Sequence, residues 1–187
     1  YFDPLPFYYE PLESHVTDKH QYPLAAVTQR PMAMYHSWDS QNAWLRQIHT
    51  HNHLYVNPRV AREAGIEDGG WMWVESPWGK VRCMCMYSEA VEPGTVWTWN
   101  AIGKSPGAWR LSPDANESRR GFLLNHVISE ELPDAGGPIS NSDPVTGQAA
   151  WYDVRVRIRP AEEGEPEETW PRADQVPAAP GTVASPP

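Results

Sequence analysis

Two short polar clusters carry the side chains that could hold an oxygen-rich or heterocyclic ligand. Thr28-Gln29-Arg30 closes an apolar run, and Tyr35-His36-Ser37 follows within ten residues. A second set comprises Asn125, His126, Asn141, Ser142, Asp143 and Gln148. Hydroxyl, amide, imidazole and guanidinium groups can donate hydrogen bonds to phosphate or carbonyl oxygens while adding little net charge. Each also has a plain structural role. A Thr-Gln-Arg at a strand end serves as a solvated turn, and amides such as Asn125 and Gln148 satisfy loop backbones.

Other spacings suggest chemistry that the sequence does not complete. His49, His51 and His53 alternate, and His36 lies upstream, but no carboxylate or cysteine with matching spacing finishes a metal site. Their place at a helix end suits the helix dipole. Asp39, His36 and Ser37 are too close in sequence to align as orienter, base and nucleophile. Cys83 and Cys85, the only two cysteines, lie two apart in a strand-like run and so point to one face. A cysteine cage needs about four thiolates, so packed thiols are expected, and two cysteines leave the redox compartment open. The chain is expected to hold neither a catalytic residue nor a metal ligand of its own.

Charge narrows the partners. The net charge of −9 sits mostly at the ends: residues 160–187 contribute −5 and residues 1–20 contribute −3, leaving −1 for 21–159. A nearly neutral body gives no electrostatic reason to bind nucleic acid or an anionic membrane surface. No apolar run approaches the roughly 18–20 residues of a membrane span, so direct insertion is not expected. The opening Tyr1-Phe2-Asp3-Pro4 has neither an initiator Met nor a signal-peptide pattern and reads as part of something longer.

Elements able to position the clusters lie between two appendages. Residues 1–20 mix aromatics with Pro4, Pro6 and Pro11 and suit an extended interdomain arm. Residues 160–187, rich in Pro, Ala, Gly and Glu, cannot offset the entropy of ordering a backbone and are expected to be a disordered tail. Within 21–159, Tyr22 to Thr28 reads as a buried strand and Ser40 to Ile48 as a helix. Asn57 as N-cap, Pro58 at the first helical position and Gly65 as the stop predict a helix over 57–65. Trp71–Glu75 and Lys80–Tyr87 flank the turn Ser76-Pro-Trp-Gly79 and predict a hairpin. Thr95–Trp99 and Trp151–Ile158 have the β-branched and aromatic content of strands, and 103–121 reads as a long loop. The expected class is mainly β with short helices, of the α+β kind.

In this order and spacing, the chain resembles the C-terminal molybdopterin dinucleotide-binding domain of the dimethyl sulfoxide reductase superfamily. The resemblance spans about 130 residues. It rests on Tyr22-Pro-Leu, Thr28-Gln-Arg30, Tyr35-His36-Ser37, Val56-Asn57-Pro58, Ala64-Gly65-Ile66, Asp68-Gly69, Val74-Glu75-Ser76, Gly79 and Val91-Glu-Pro-Gly94. Asn125, Asp143-Pro144 and Gln148 complete it. The pattern departs from many relatives at Gln29, where glycine is common, and in the length of the 103–120 loop.

The resemblance implies a double-psi β-barrel covering a bis-molybdopterin guanine dinucleotide cofactor that holds molybdenum or tungsten. It implies cofactor contacts from Thr28, Gln29, Arg30, Tyr35, His36, Ser37, Asn125, Asp143 and Gln148. Trp97, Trp99 and Trp109 could flank the cofactor or substrate channel. The metal ligand and the iron–sulfur cysteines belong to earlier domains, so the chain is expected to be a non-catalytic piece of an oxidoreductase. Tyr35-His36-Ser37-Trp38, Gln41–Gln47 and Trp99–Lys104 look most similar to large subunits of sulfur-compound enzymes, such as sulfite dehydrogenases and polysulfide reductase relatives. The implied partners are N-terminal domains of the same enzyme, together with iron–sulfur and membrane-anchor subunits. A membrane-associated or cytoplasmic complex is favoured over a periplasmic one. The alternative is a stand-alone double-psi barrel serving as a binding or interaction module, since fold alone does not fix function.

Overall fold

The computed structural model describes residues 5, 8, 10–35, 42–49, 51–100, 102, 120–134, 136–143, 146–149 and 153–166. In chain order the elements are α1 (Leu12–Val16), β1 (Leu24–Gln29), α2 (Ala43–Arg46), β2 (Leu54–Val56), α3 (Pro58–Glu63), β3 (Trp71–Glu75), β4 (Lys80–Tyr87) and β5 (Thr95–Trp99). A 3-10 turn (Leu124–Val127), the hairpin strands β6 (Glu131–Leu132) and β7 (Ile139–Ser140), and β8 (Val154–Pro160) follow.

Six strands close into a barrel in the order β1-β5-β2-β4-β3-β8. The pairs β1–β5 and β2–β4 are parallel, and the other four are antiparallel. Exchanging β1, β2 and β3 with β4, β5 and β8 leaves this order unchanged, so the topology has a pseudo-twofold relation between its halves. That arrangement is the expected double-psi barrel.

Alternation with period two builds the core. Ala26, Leu54, Val56, Met72, Val74, Val81, Cys83, Cys85, Val96, Val154 and Val156 point inward and are buried. Burial of a side chain of this kind contributes about 1.5–3 kcal/mol relative to exposure. Both cysteines are free and belong to this core. Burial pushes the Cys85 thiol up to about 12 and raises the Cys83 thiol well above its ordinary range, so both stay protonated packing groups.

Each barrel end has its own cover. At the end reached by the starts of β1 and β5, α3 packs Ala61, with Val60 and Ala64 beside it, against the core. Asn57 caps α3 by accepting from the Arg59 N–H at 3.0 Å, while its Nδ2 donates to the Val91 carbonyl at 2.9 Å. Gly65 terminates the helix with φ +74°, a left-handed backbone that glycine adopts without strain. At the opposite end, Phe122, Leu124 and Val127 descend onto the same core. Ser76 Oγ donates to the Val127 carbonyl at 2.7 Å and accepts from the N–H groups of Trp78 and Gly79. One hydroxyl thereby ties the β3–β4 turn to this cover.

Two segments differ from the sequence reading. Residues 12–16, within the span expected to be extended, form a helical turn because Glu13 docks on the barrel. Its Oε1 accepts from Trp78 Nε1 at 3.2 Å and from the Arg155 N–H at 3.3 Å. β8 runs on to Pro160, the Ala161 N–H extends its ladder to the Trp71 carbonyl at 3.0 Å, and residues 162–165 then turn so that Glu165 folds back onto Arg159. The tail beyond Pro166 lies outside the described residues. The helix read over Ser40 to Ile48 is described from Asn42, and its helical part is Ala43–Arg46, capped by Asn42 Oδ1.

Candidate functional site

Strand directions place Thr28 and Gln29 of the first cluster at one end of the barrel. β1 and β5 run parallel and finish together, with Gln29 beside Trp99. β2 starts at this end, antiparallel to β5, and the β3–β4 turn at Ser76–Gly79 lies here as well. The cover from Phe122 to Val127 then carries the chain from the Asn52 side, where Asn52 Nδ2 donates to the Phe122 carbonyl, to the Ser76 side. Asn125 lies on that cover.

In the first cluster, Thr28 sits on the inward face of β1, and its Oγ1 is buried with no hydrogen-bond partner among the described residues. Gln29 is exposed, and its carbonyl accepts from the Asn100 N–H at 2.8 Å. Arg30 is exposed too, its guanidinium 5.7 Å from the centroid of the Tyr35 ring. His36 and Ser37 lie outside the described residues.

In the second cluster, Asn125 is exposed on the 3-10 turn and lines a cavity of about 380 Å³ with Ser129, Ser140, Asn141, Ser142 and Gly147. Asn141 is buried there and donates from Nδ2 to the Ser129 carbonyl at 3.1 Å. Asp143 and Gln148 close their own loop. Asp143 Oδ1 accepts from the Thr146 N–H at 2.6 Å, and the Asp143 N–H donates to the Gln148 carbonyl at 2.7 Å.

Three further residues at this end were not singled out as ligands from sequence, or only as channel walls. Asn52 is 1% exposed, and its Oδ1 is buried without a partner among the described residues. The same holds for Trp99 Nε1 and Asn100 Oδ1. Together with Thr28 Oγ1, four buried polar atoms at one barrel end lack a hydrogen-bond partner among the described residues. Buried polar atoms are rarely left unpaired, because each then carries its full desolvation cost. Trp99 is among the aromatics expected to flank the channel, whereas Asn52, set between His51 and His53, and Asn100 carry no periodic signal in the sequence.

Those histidines pack as neighbours of the site. The Nε2 atoms of His51 and His53 lie 3.1 Å apart, a contact that requires one proton between two rings. Burial lowers the His53 and His49 pKa values below the ordinary imidazole range. Tyr55 stacks on Trp97 at 4.1 Å, and Trp97 meets Trp99 edge-on at 4.8 Å, so the indole of Trp99 is held in place. Trp109 lies outside the described residues. Among the described residues, no group of three or more His, Cys, Asp or Glu side chains is arranged to hold a metal, and no helix is long and apolar enough to cross a membrane.

The donor set is a mixture of neutral amide, hydroxyl and indole groups with one exposed guanidinium, Arg30. Such a set fits a ligand that combines heterocycle edges with phosphate oxygens, and the described residues do not saturate it.

Comparison with known proteins agrees with this geometry. A family model described as "Molydopterin dinucleotide binding domain" matches residues 24–142. The chain is 71% identical over 183 residues to a sulfite dehydrogenase subunit of Allochromatium vinosum, covering 97% of this chain and 19% of that protein. It is 40% identical over 98 residues to dopamine dehydroxylase of Eggerthella lenta, covering 49% of this chain and 10% of that protein. The solved acetylene hydratase from Pelobacter acetylenicus shares the fold with a TM-score of 0.63 at 23% identity, covering 86% of this chain and 22% of that one.

Proposed function

The chain belongs to the molydopterin dinucleotide binding domain family of the dimethyl sulfoxide reductase superfamily, and from this premise we propose that it caps and orients the bis-molybdopterin guanine dinucleotide of a larger oxidoreductase acting on a sulfur compound. The match to the sulfite dehydrogenase of Allochromatium vinosum supports the sulfur reading. The chain spans about a fifth of that relative, which favours one domain of a longer enzyme over a stand-alone module. Iron–sulfur and membrane-anchor subunits would complete the enzyme, in a cytoplasmic or membrane-associated complex.

The observation that carries the reading is the set of four buried polar atoms, without a partner among the described residues, at the barrel end that also holds Arg30. When bound, the cofactor supplies two-electron chemistry at molybdenum or tungsten. The residues here bind and position. Thr28, Asn52, Trp99 and Asn100 present hydrogen-bonding groups without charge, and Arg30 offers a planar fork suited to phosphate oxygens. The barrel cover of Phe122, Leu124 and Val127 keeps water out of the core beneath them.

The test is release of guanine nucleotide together with molybdenum or tungsten from the denatured full-length protein. Both are expected. A metal-replete enzyme that releases no guanine nucleotide would overturn the proposal.

A further inference from the structure

We propose that the outer face of β4, β3 and β8 is a docking surface for this chain's own acidic segment Glu167-Glu168, which crosses from β8 to pair with Lys80 and Arg82. The proposal is independent of the cofactor reading, because this face is the outside of the barrel wall and not one of its ends.

Strand register writes the face as rows. Lys80, Glu75 and Arg157 stand side by side on β4, β3 and β8, and Arg82, Trp73 and Arg159 form the next row, with Trp71 beyond them on β3. The residues between, such as Cys83 and Val74, fill the core, so alternation with period two turns the rows outward. β3 is therefore an aromatic ridge between two rails of cations.

The ridge holds those cations in place. Lys80 Nζ lies 4.5 Å and the Arg159 guanidinium 5.7 Å from the Trp73 ring centroid, and the Arg82 guanidinium lies 4.4 Å from that of Trp71. Long side chains already laid over rings lose less rotamer freedom when a carboxylate arrives. Charge on the face is unbalanced. The two rows hold four cations and one carboxylate, Glu75, which accepts from Arg157 at 2.8 Å and from Arg159 at 2.9 Å, although the chain as a whole carries −9. A cavity of about 260 Å³ between Lys80 and Arg157, lined also by Ser76 and Gly79, leaves room for a further carboxylate.

The occupant is already seated at one edge. Glu165 comes off the turn after β8 and meets Arg159 through two parallel hydrogen bonds. It belongs to a run with Glu162, Glu163, Glu167 and Glu168, the densest acidic stretch of the sequence. Reach and direction agree. β4 lies about 10 Å from β8, two strand spacings away, and the two or three residues that separate Glu165 from Glu167 and Glu168 span about 7–10 Å when extended. Pro166 favours that extended course.

The test is zero-length carbodiimide coupling in the full-length protein, read by mass spectrometry after digestion, which joins a lysine to a carboxylate only where the two are in contact. Lys80 is expected to couple to Glu167 or Glu168 of the same molecule, and a mixture of 14N and 15N protein shows whether both halves of the product carry one label. Lys19, which pairs with Glu10, is the internal standard. Arg82→Gln should lower the Lys80 product by about fivefold, the scale of one well-placed ion pair, while the Lys19–Glu10 product holds. The proposal is overturned if Lys80 couples to nothing while Lys19 couples to Glu10, or if Arg82→Gln leaves the yield unchanged. Coupling of Lys80 only to other carboxylates, whether in this chain, another domain, a subunit or a second copy, overturns it too and assigns the face to that partner.

Discussion

Arg159 and Glu165 face each other through two parallel hydrogen bonds, Nη1 to Oε2 at 3.0 Å and Nη2 to Oε1 at 2.7 Å. Arg159 Nε also donates to Glu75 Oε1 at 2.9 Å, so one guanidinium ties the fold-back of residues 162–165 to β3. Beneath it Trp73 is fully buried, with the Arg159 guanidinium 5.7 Å and Lys80 Nζ 4.5 Å from its ring centroid. Arg159→Lys keeps the charge but loses the fork. Hydrogen exchange at the Ala161 amide should speed up by about tenfold as the fold-back opens more often. Hydrogen bonding to Arg159 holds the Glu165 carboxyl down at about 2, against an ordinary value of 4.5. The pair is therefore fully formed above pH 4.5 and weakens as pH falls toward 2. Protection of Ala161 that is unchanged across that window would contradict this assignment.

Ser76→Ala should cost about 1–3 kcal/mol, because it leaves the buried Val127 carbonyl without its donor and the N–H groups of Trp78 and Gly79 without their acceptor. The loss should concentrate in the cover. Amides of residues 124–127 should lose exchange protection before those of β3 and β4.

Glu13→Gln should stabilise the chain at neutral pH. Burial raises the Glu13 pKa, so its ionised form disfavours the fold, although Trp78 and Arg155 each donate to it. A carboxyl raised in the folded state contributes most below its ordinary value of 4.5, and that contribution is lost as pH rises through the folded value. The melting temperature should rise by about 2–4 °C at pH 7, the shift made by roughly 1 kcal/mol in a domain of this size. The gain should vanish below pH 4.5. A loss of stability at pH 7 would show instead that the charge at Glu13 is favourable.

His49, His53 and His126 all have pKa values lowered, with burial the first cause in each. The unfolded chain then binds protons at higher pH than the folded one. Stability from these groups is complete above the ordinary value of 6.5 and is lost as pH falls below it. A denaturation midpoint should decline from pH 7 to pH 5, and the His53→Gln variant should decline less steeply. NMR titration of the His53 ring should give a midpoint under 6.5.

Arg30→Lys in the full-length protein should lower guanine-nucleotide occupancy several-fold while changing the chain's own stability by roughly 0–1 kcal/mol, since Arg30 is exposed with its guanidinium over the Tyr35 ring. Full occupancy in the variant, measured as nucleotide released per protein, would sink the role given to Arg30.

Much of the frame was legible because local chemistry and tertiary structure agree. Asn57-Pro58 and Gly65 bracket α3, and alternation along Lys80–Tyr87 marks β4. Thr28 was legible as a polar residue closing a buried strand. Glu13 was not, because a glutamate in a proline-rich arm gives no sign that it will be buried against Trp78, 65 residues away. Asn52 and Asn100 were missed for a related reason. What makes them notable is an amide oxygen left over once backbone carbonyls 47 and 70 residues distant have claimed the Asn52 nitrogen, and no periodicity encodes that.

The pseudo-twofold relation of the barrel exchanges its two ends, so the connection from β2 to β3 corresponds to the one from β5 to β8. The first, residues 57–70, is a compact stopper built on α3, whereas the second, residues 100–153, carries Asn100, Asn125, Asp143 and Gln148. The frame thus offers two equivalent sockets, one sealed and one fitted with an exchangeable module. Phe122, Leu124 and Val127 of that module pack into the core, so changes there act on barrel stability, whereas changes at exposed Asn125 alter what that end presents without repacking the barrel.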